Sequence, residues 1–416
     1  MPNSKLTGRN IMKKTSHIRP ADVRALARLA TDATLGVVDL VEDVHHHVLH
    51  PERALRQAPR RARGISSFVY SAVRGVTRVV GDGADRALAR FLPMFGEHAS
   101  SPQREAVLAI LNGILGDHML KTGNSLALRM QLRRNGQPLK LEREALNNTI
   151  PQASGKIVVL LHGLCMNDLQ WQRQGHNHGT ALEHDFGYTP LYLHYNSGLH
   201  VSSNGRAFSA LLEQLVEQWP QPVEELMLVC HSMGGLVARS ACHYAAEEQL
   251  AWLPRLSRLV CLGTPHHGSP LERIGNWVDT ILQALPYAAP FARLGMLRSA
   301  GITDLRYGNL LDSDWEGRNR FTRAADGRSF VPLPAGVHSY ALAAMRGKDS
   351  GDISKFLIGD GLVPLDSALG RHADPERTLP FPASNLSIVY ETGHLDLLSS
   401  PRVYEKLREW IGTPAN

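Results

Sequence analysis

The chain has 416 residues, 43% of them hydrophobic and 20% charged, with a formal net charge of +6. That length exceeds one ordinary core and that balance excludes a disordered or fibrous chain, leaving a large globular domain with a smaller one attached. The charge is uneven: residues 1–100 carry 16 Lys and Arg against 9 Asp and Glu, so the remainder is close to neutral. A basic arm can meet nucleic acid or anionic membrane, but it is more often a solvated face, and no nucleic-acid partner is expected. The lysines and arginines of the N-terminus precede no apolar signal core, and no run approaches the roughly 18 apolar residues of a membrane span. Four cysteines, Cys165, Cys230, Cys242 and Cys261, have neither C-x-x-C spacing nor the pattern of a disulfide scaffold. A cytoplasmic protein with buried thiols is expected, one whose basic end admits peripheral membrane contact.

Residues 1–20 read as a polar, basic arm. Val23, Leu26, Ala30, Val37, Leu40 and Val44 then recur at helical spacing, and after an Arg- and Pro-rich stretch over 51–63 a second stripe runs through Ile65, Phe68, Val69, Val73, Val76 and Val80. A third, shorter stripe is Val107, Leu108, Leu111, Ile114 and Leu115. These three stripes define an N-terminal helical region over 1–124, which either packs onto the rest of the chain or lies against a membrane; the small residues Ala27, Ala30, Ala33 and Ala72 favour packing. His45, His46, His47 and His50 lack an acidic or cysteine ligand set at fixed spacing, so neither a metal nor another cofactor is expected.

From Leu126 the texture changes to strand-like runs. Leu126–Leu132 and a return through Leu139 and Leu141 flank Asn135-Gly136, a hairpin signal. Lys156–Leu161 is a continuous apolar run of the kind found in a parallel strand covered on both faces. Thr189–His194, Glu225–Cys230, Leu256–Leu262, Val337–Met345 and Leu386–Tyr390 are further strands, and helical patterns over 203–219, 233–248 and 401–410 separate most of them. Strands alternating with helices give a mostly parallel α/β sheet over 125–416.

The stretch Cys230-His231-Ser232-Met233-Gly234-Gly235 joins the buried strand at 225–230 to the helix that follows it. A serine at such an elbow projects its hydroxyl from the sheet edge, beside the unpaired N–H groups of the helix start. A serine hydroxyl is a poor nucleophile unless a histidine takes its proton, an acid orients that histidine, and donors meet the oxyanion. His162-Gly163-Leu164 follows the 156–161 strand at the carboxyl edge of the sheet, and the N–H groups of Leu164 and Met233 would form the oxyanion hole. Gly359-Asp360-Gly361 presents a carboxylate between two glycines, with Asp349, Asp352, Asp366, Asp374 and Asp396 as alternatives. Gly393-His394 follows the last strand. Ser232, Asp360 and His394 thus each lie past a strand's carboxyl end. Cys230, on the buried strand before the turn, is not read as the nucleophile, and His266 and His267 are read as loop residues.

From about Leu126 onward the chain resembles the α/β-hydrolase superfamily, in its bacterial lipase and PGAP1-like esterase branch. The likeness rests on Leu160-Leu161-His162-Gly163-Leu164, His231-Ser232-Met233-Gly234-Gly235, Gly263-Thr264-Pro265-His266-His267-Gly268-Ser269, Gly359-Asp360-Gly361-Leu362-Val363-Pro364 and Gly393-His394, within roughly two-thirds of the chain. The order Ser, Asp, His is that of these enzymes. In one place the chain departs: Cys230 stands where the G-x-S-x-G motif has its first glycine. The resemblance implies an α/β-hydrolase fold with a cap or lid insertion over 268–336, whose stripe Ile274, Trp277, Val278, Ile281, Leu282 and Leu285 is either a core-packed helix or an acyl-chain wall. It also implies a serine carboxylester hydrolase acting on acyl esters or lipid-like substrates. The same machinery would serve a thioesterase, amidase or acyltransferase, and a non-catalytic membrane- or partner-binding protein on a hydrolase scaffold is the reading from another class.

Overall fold

The computed structural model describes residues 22, 24–32, 101–269, 299–317, 327–347 and 359–412. Two compact units divide the chain: Met1–Glu105 with Gly123–Leu126, and Ala106–Thr122 with Ala127–Asn416. In the first, a helix occupies 24–32, where the first N-terminal stripe begins. The Asp22 carboxylate accepts from Arg104 Nε and Nη2 at 2.6 Å each, and Asn124 Nδ2 donates to Ala25 O at 3.0 Å. The remainder of that stripe, the second stripe and the four histidines at 45–50 lie outside the described residues.

The second unit is built on a sheet. Its strands are β1 (Gln131–Arg134), β2 (Gln137–Pro138), β3 (Lys156–Leu161), β4 (Thr189–His194), β5 (Glu225–His231), β6 (Leu256–Leu262), β7 (His338–Met345) and β8 (Leu386–Tyr390). They lie in the order β2-β1-β4-β3-β5-β6-β7-β8. All neighbours from β4 to β8 pair in parallel, while β1 runs antiparallel to both β2 and β4. Parallel neighbours need crossovers, and the chain supplies α3 (His178–Phe186) between β3 and β4, α4 (Val201–Gln218) between β4 and β5, and α5 (Met233–Glu247) between β5 and β6; α1 (Pro102–Lys121) and α2 (Arg143–Thr149) precede β3. β3 is buried over Ile157–Leu161, as its unbroken apolar run requires.

The hairpin turn falls where the sequence places it: Asn135 (φ 52°) and Gly136 (φ 73°) both adopt positive φ, as a two-residue turn of this kind demands. Its strands are shorter than expected. Gln131 pairs with His194, the last residue of β4, so residues 126–130 have no strand to pair with. At the other end, β5 runs one residue beyond Cys230, because His231 still pairs with Leu262 of β6.

Helix α1 differs from its sequence reading in kind. The third stripe suggests an amphipathic helix of the N-terminal region, but residues 108–116 are buried on every face and Ala106–Thr122 clusters with the sheet. Within the 268–336 insertion, α6 (Ala300–Tyr307) is capped by Ser299, whose Oγ accepts from Ile302 N at 3.3 Å. The apolar stripe Ile274–Leu285 lies outside the described residues. The chain closes with α7 (Leu365–Ala368) and α8 (Pro401–Gly412). Among the described residues no helix is long and apolar enough to cross a membrane.

Because Ile114 is 1% exposed, Ile114→Ala is expected to cost about 2–5 kcal/mol of unfolding free energy. A urea midpoint equal to that of the parent protein would place α1 outside the cooperative unit.

Candidate active site

Ser232 sits between the last residue of β5 and the first of α5 with φ 55° and ψ −123°, a region a non-glycine residue seldom occupies. Its N–H donates to Leu262 O at 2.8 Å and its carbonyl accepts from Gly235 N at 3.0 Å. Close packing forces the turn: a Cβ on Gly234 would lie 2.7 Å from Leu161 O and 2.8 Å from His162 O, so only a glycine lets α5 start this near β3. Ser232 Oγ is buried and makes no hydrogen bond among the described residues. Cys230, one residue back on β5, is fully buried, and burial holds its thiol well above the ordinary value, so it is a neutral packing group.

His394 and Asp360, expected from different loops, meet. His394 Nδ1 lies 2.6 Å from Asp360 Oδ2, with side-chain exposures of 2% and 1%. The other carboxylate oxygen accepts from the N–H groups of Leu362 at 2.9 Å and Val363 at 2.8 Å, so the backbone fixes the acid. A carboxylate offers only acceptors, hence Nδ1 carries the proton and Nε2 the lone pair. Among the alternative acids, Asp366 and Asp374 are exposed and Asp396 accepts from Gly393 N at 3.0 Å; Asp349 and Asp352 lie outside the described residues.

The pair stands beside the elbow. A Cβ on Gly263, just past β6, would lie 3.3 Å from both Asp360 Oδ2 and His394 Cε1. His231 Nε2 donates to His394 O at 3.0 Å, and the two rings are 4.6 Å apart. This link was missed in the sequence, where His231 is only part of the elbow. Burial, with the neighbouring His394, pushes His231 well below the usual histidine value, so it stays a neutral donor.

The loop after β3 closes the other side. A Cβ on Gly163 would lie 3.1 Å from Ser232 Cβ, which puts His162-Gly163-Leu164 against the elbow. Leu164 and Met233 are fully buried, and neither N–H makes a hydrogen bond among the described residues. His162 is held by Nδ1 against Gly163 O at 2.8 Å and by stacking on Tyr195 at 4.3 Å, and burial lowers it to about 3. The loop after His394 has a fastener too. His178 Nε2 donates to Leu397 O at 3.0 Å, which makes its Nδ1 the acceptor for His176 Nε2 at 2.8 Å. Burial lowers His178 to about 4. His266 and His267 belong to the loop after β6, as expected: His267 Nε2 lies 3.0 Å from Gly370 O, and Ser367 Oγ donates to Gly268 O at 2.8 Å.

A mostly parallel eight-stranded sheet with crossover helices and a sharp strand-to-helix turn after β5 is the α/β-hydrolase fold. More narrowly, residues 152–327 match the family model of the PGAP1-like alpha/beta domain. Similar solved structures include the mature form of the Bacillus licheniformis lipase BlEst2, at 18% identity and a TM-score of 0.42 over 69% of this chain and 98% of that one. A thermophilic esterase from Thermogutta terrifontis is similar at 15% identity and a TM-score of 0.36, over 62% and 90%. The phospholipase PlaB from Legionella pneumophila is similar at 17% and 0.34, over 52% and 46%. Neither substrate nor mechanism follows from likeness at these levels. Among curated proteins, none matches the sequence.

His162 and His178 have folded values of about 3 and about 4, below the ordinary 6.5, so the unfolded chain binds more protons through that interval. The stability they contribute is complete above about pH 6.5 and falls as the pH drops toward 4. His178→Asn is expected to flatten the urea midpoint measured from pH 8 to 4.5; a slope unchanged from the parent would contradict the assignment.

Proposed function

We propose that the protein is a serine carboxylester hydrolase. The observation that carries the reading is a buried serine hydroxyl without a hydrogen-bond partner, held at positive φ on a strand-to-helix turn beside a His–Asp pair. In this reading Ser232 Oγ attacks the ester carbonyl as His394 Nε2 takes its proton. Asp360 keeps the imidazole in the required tautomer and stabilises the imidazolium as it forms. The N–H groups of Leu164 and Met233 meet the oxyanion, which they can do at no cost in existing hydrogen bonds. His394 then returns the proton to the leaving alcohol, and a water molecule, activated by the same imidazole, releases the acid from Ser232.

A hydrophobic acyl group suits the surroundings. Met166 Sδ would lie 3.4 Å from a Cβ on Gly163, and Met233 Cε 3.1 Å from one on Gly301, so flexible thioethers flank the elbow. The catalytic domain of this reading begins with the sheet unit and includes α1. The insertion over 268–336 serves it as a cap, and the basic residues before α1 supply a secondary, reversible contact with anionic membrane.

Ser232→Ala is expected to abolish both fluorophosphonate labelling and hydrolysis of p-nitrophenyl esters while the protein stays folded. Undiminished labelling of that variant would remove the serine assignment. Thioester and amide analogues in the same panel separate a thioesterase or amidase from an esterase. Asp360→Asn is expected to lower kcat by about 10⁴-fold with KM little changed, because the imidazole is left in the wrong tautomer. If Asp366→Asn were the crippling change instead, the acid would have been misassigned.

A further inference from the structure

Leu164 N–H can help only if the loop that carries it is held in place, and the residue after it is strained. Cys165 has φ 57°, a left-handed conformation that a side-chain-bearing residue keeps only where its surroundings fix it. Two contacts do so. Cys165 N donates to Ser197 Oγ at 3.0 Å, and α1 presses on the same backbone: a Cβ on Gly113 would overlap Cys165 Sγ and lie 2.9 Å from both Cys165 N and Cα. Helix α1 has no room to retreat. Ser299 Oγ donates to Gly113 O at 2.6 Å, Asn196 Nδ2 to Gly116 O at 3.1 Å, and Gly198 packs 2.9 Å from Gly116 N when given a Cβ.

We propose that α1 acts as a brace for the oxyanion loop, with Gly113 and Ser197 as positioning residues that act through Cys165 on Leu164 N–H. The inference rests on the esterase reading above. Its physical basis is that an oxyanion donor works only within a few tenths of an ångström of its place, and the face of α1 at Gly113 sets that place. The side chain missing at 113 is therefore part of the site's construction, although α1 lies outside the segments that carry the hydrolase motifs. A donor used in the transition state and not in the ground state should affect kcat and leave KM alone.

Gly113→Ala is the test, read by kcat, KM and inhibition by a trifluoromethyl ketone, which places an oxyanion in the hole once Ser232 adds to it. The expected result is a fall in kcat of about 10- to 100-fold, KM within about twofold, and ketone affinity weakened in parallel with kcat. A folded variant, judged by circular dichroism, whose kcat is within about twofold of the parent's overturns the brace, as does a loss of kcat with ketone affinity unchanged. Should Gly113→Ala fail to fold, Ser197→Ala decides by the same readouts, since it removes only the acceptor of Cys165 N–H; about a tenfold loss of kcat is expected. A Ser232→Ala variant that still hydrolyses esters would overturn the esterase reading itself. An inactive Ser232→Ala beside an undiminished Gly113→Ala would overturn the brace alone.

Discussion

The approach of α5 to the ends of β3 and β6 is the constraint on which the site depends. A Cβ on Gly234 would press on the carbonyls of Leu161 and His162, and one on Gly235 would overlap the Thr264 side chain, so the helix starts directly on the strand ends. A chain leaving β5 can reach that start only through a sharp reversal, and Ser232 absorbs it at φ 55°. Such a conformation costs on the order of 1–3 kcal/mol. Leu236 and Val237 on α5 are fully buried, each worth roughly 1.5–3 kcal/mol, so helix burial outweighs the strain it imposes. The elbow is thus stable through the residues that follow it, and the helix's unpaired first N–H arrives beside the serine as a consequence.

The acid loop follows a related logic with different means. Gly359 at φ 58° and Gly361 at φ 100° turn the backbone so that the Leu362 and Val363 N–H groups converge on one oxygen of Asp360. Leu362 and Val363 are themselves buried, which anchors the turn, and the second oxygen is left for His394. Arg346 Nε donates to Asp360 O at 3.1 Å, tying the loop to the end of β7. Ser232 and Asp360 are therefore fixed by backbone contacts made by their neighbours in sequence, His394 by Asp360 and His231, and the parallel register of β3, β5, β6, β7 and β8 brings these neighbourhoods to one edge.

That pattern explains what could be read from the sequence. Continuous apolar runs such as Lys156–Leu161 announce parallel strands, and glycines beside Ser232, Asp360 and His394 announce turns at their ends; fold and candidate triad were legible on those grounds. Strand limits at the hairpin were not, because they depend on where β4 stops. Helix α1 was misread for a chemical reason. Its hydrophobic stripe marks one face, but the opposite face buries Ala109, Asn112, Gly113 and Gly116, small or polar residues that carry no hydrophobic signal. The role of His231 was hidden too, since its partner is a backbone carbonyl 163 residues away.

The histidines show why residue type alone could not locate the base. Among the described residues, His162, His178 and His231 are buried against backbone carbonyls and His267 is half-buried against one, and burial lowers all four below the ordinary histidine value. They are neutral hydrogen-bonding groups that fasten loops. Others face carboxylates: His394 with Asp360, His194 with Asp168 at 3.1 Å and His200 with Asp304 at 2.9 Å, besides His184 with Asp185 at 2.8 Å and His243 with Glu247 at 3.2 Å toward the surface. A carboxylate can stabilise an imidazolium as it forms, whereas a carbonyl does so far less, so the candidates for a base are sought among the histidines that face carboxylates. The carboxylates opposite His194 and His200 serve other partners, away from the elbow. Asp168 is also bound by Arg133 at 3.2 Å, and Asp304 accepts from Val201 N at 2.8 Å while His200 stacks on Trp315 at 3.7 Å. The pair at 394 and 360 differs in its neighbourhood: His231, which precedes Ser232, lies against the ring of His394 and holds its backbone. The strand that leads to the proposed nucleophile thereby positions the proposed base, and that coupling, more than the presence of a His–Asp pair, distinguishes this edge of the sheet as the candidate site.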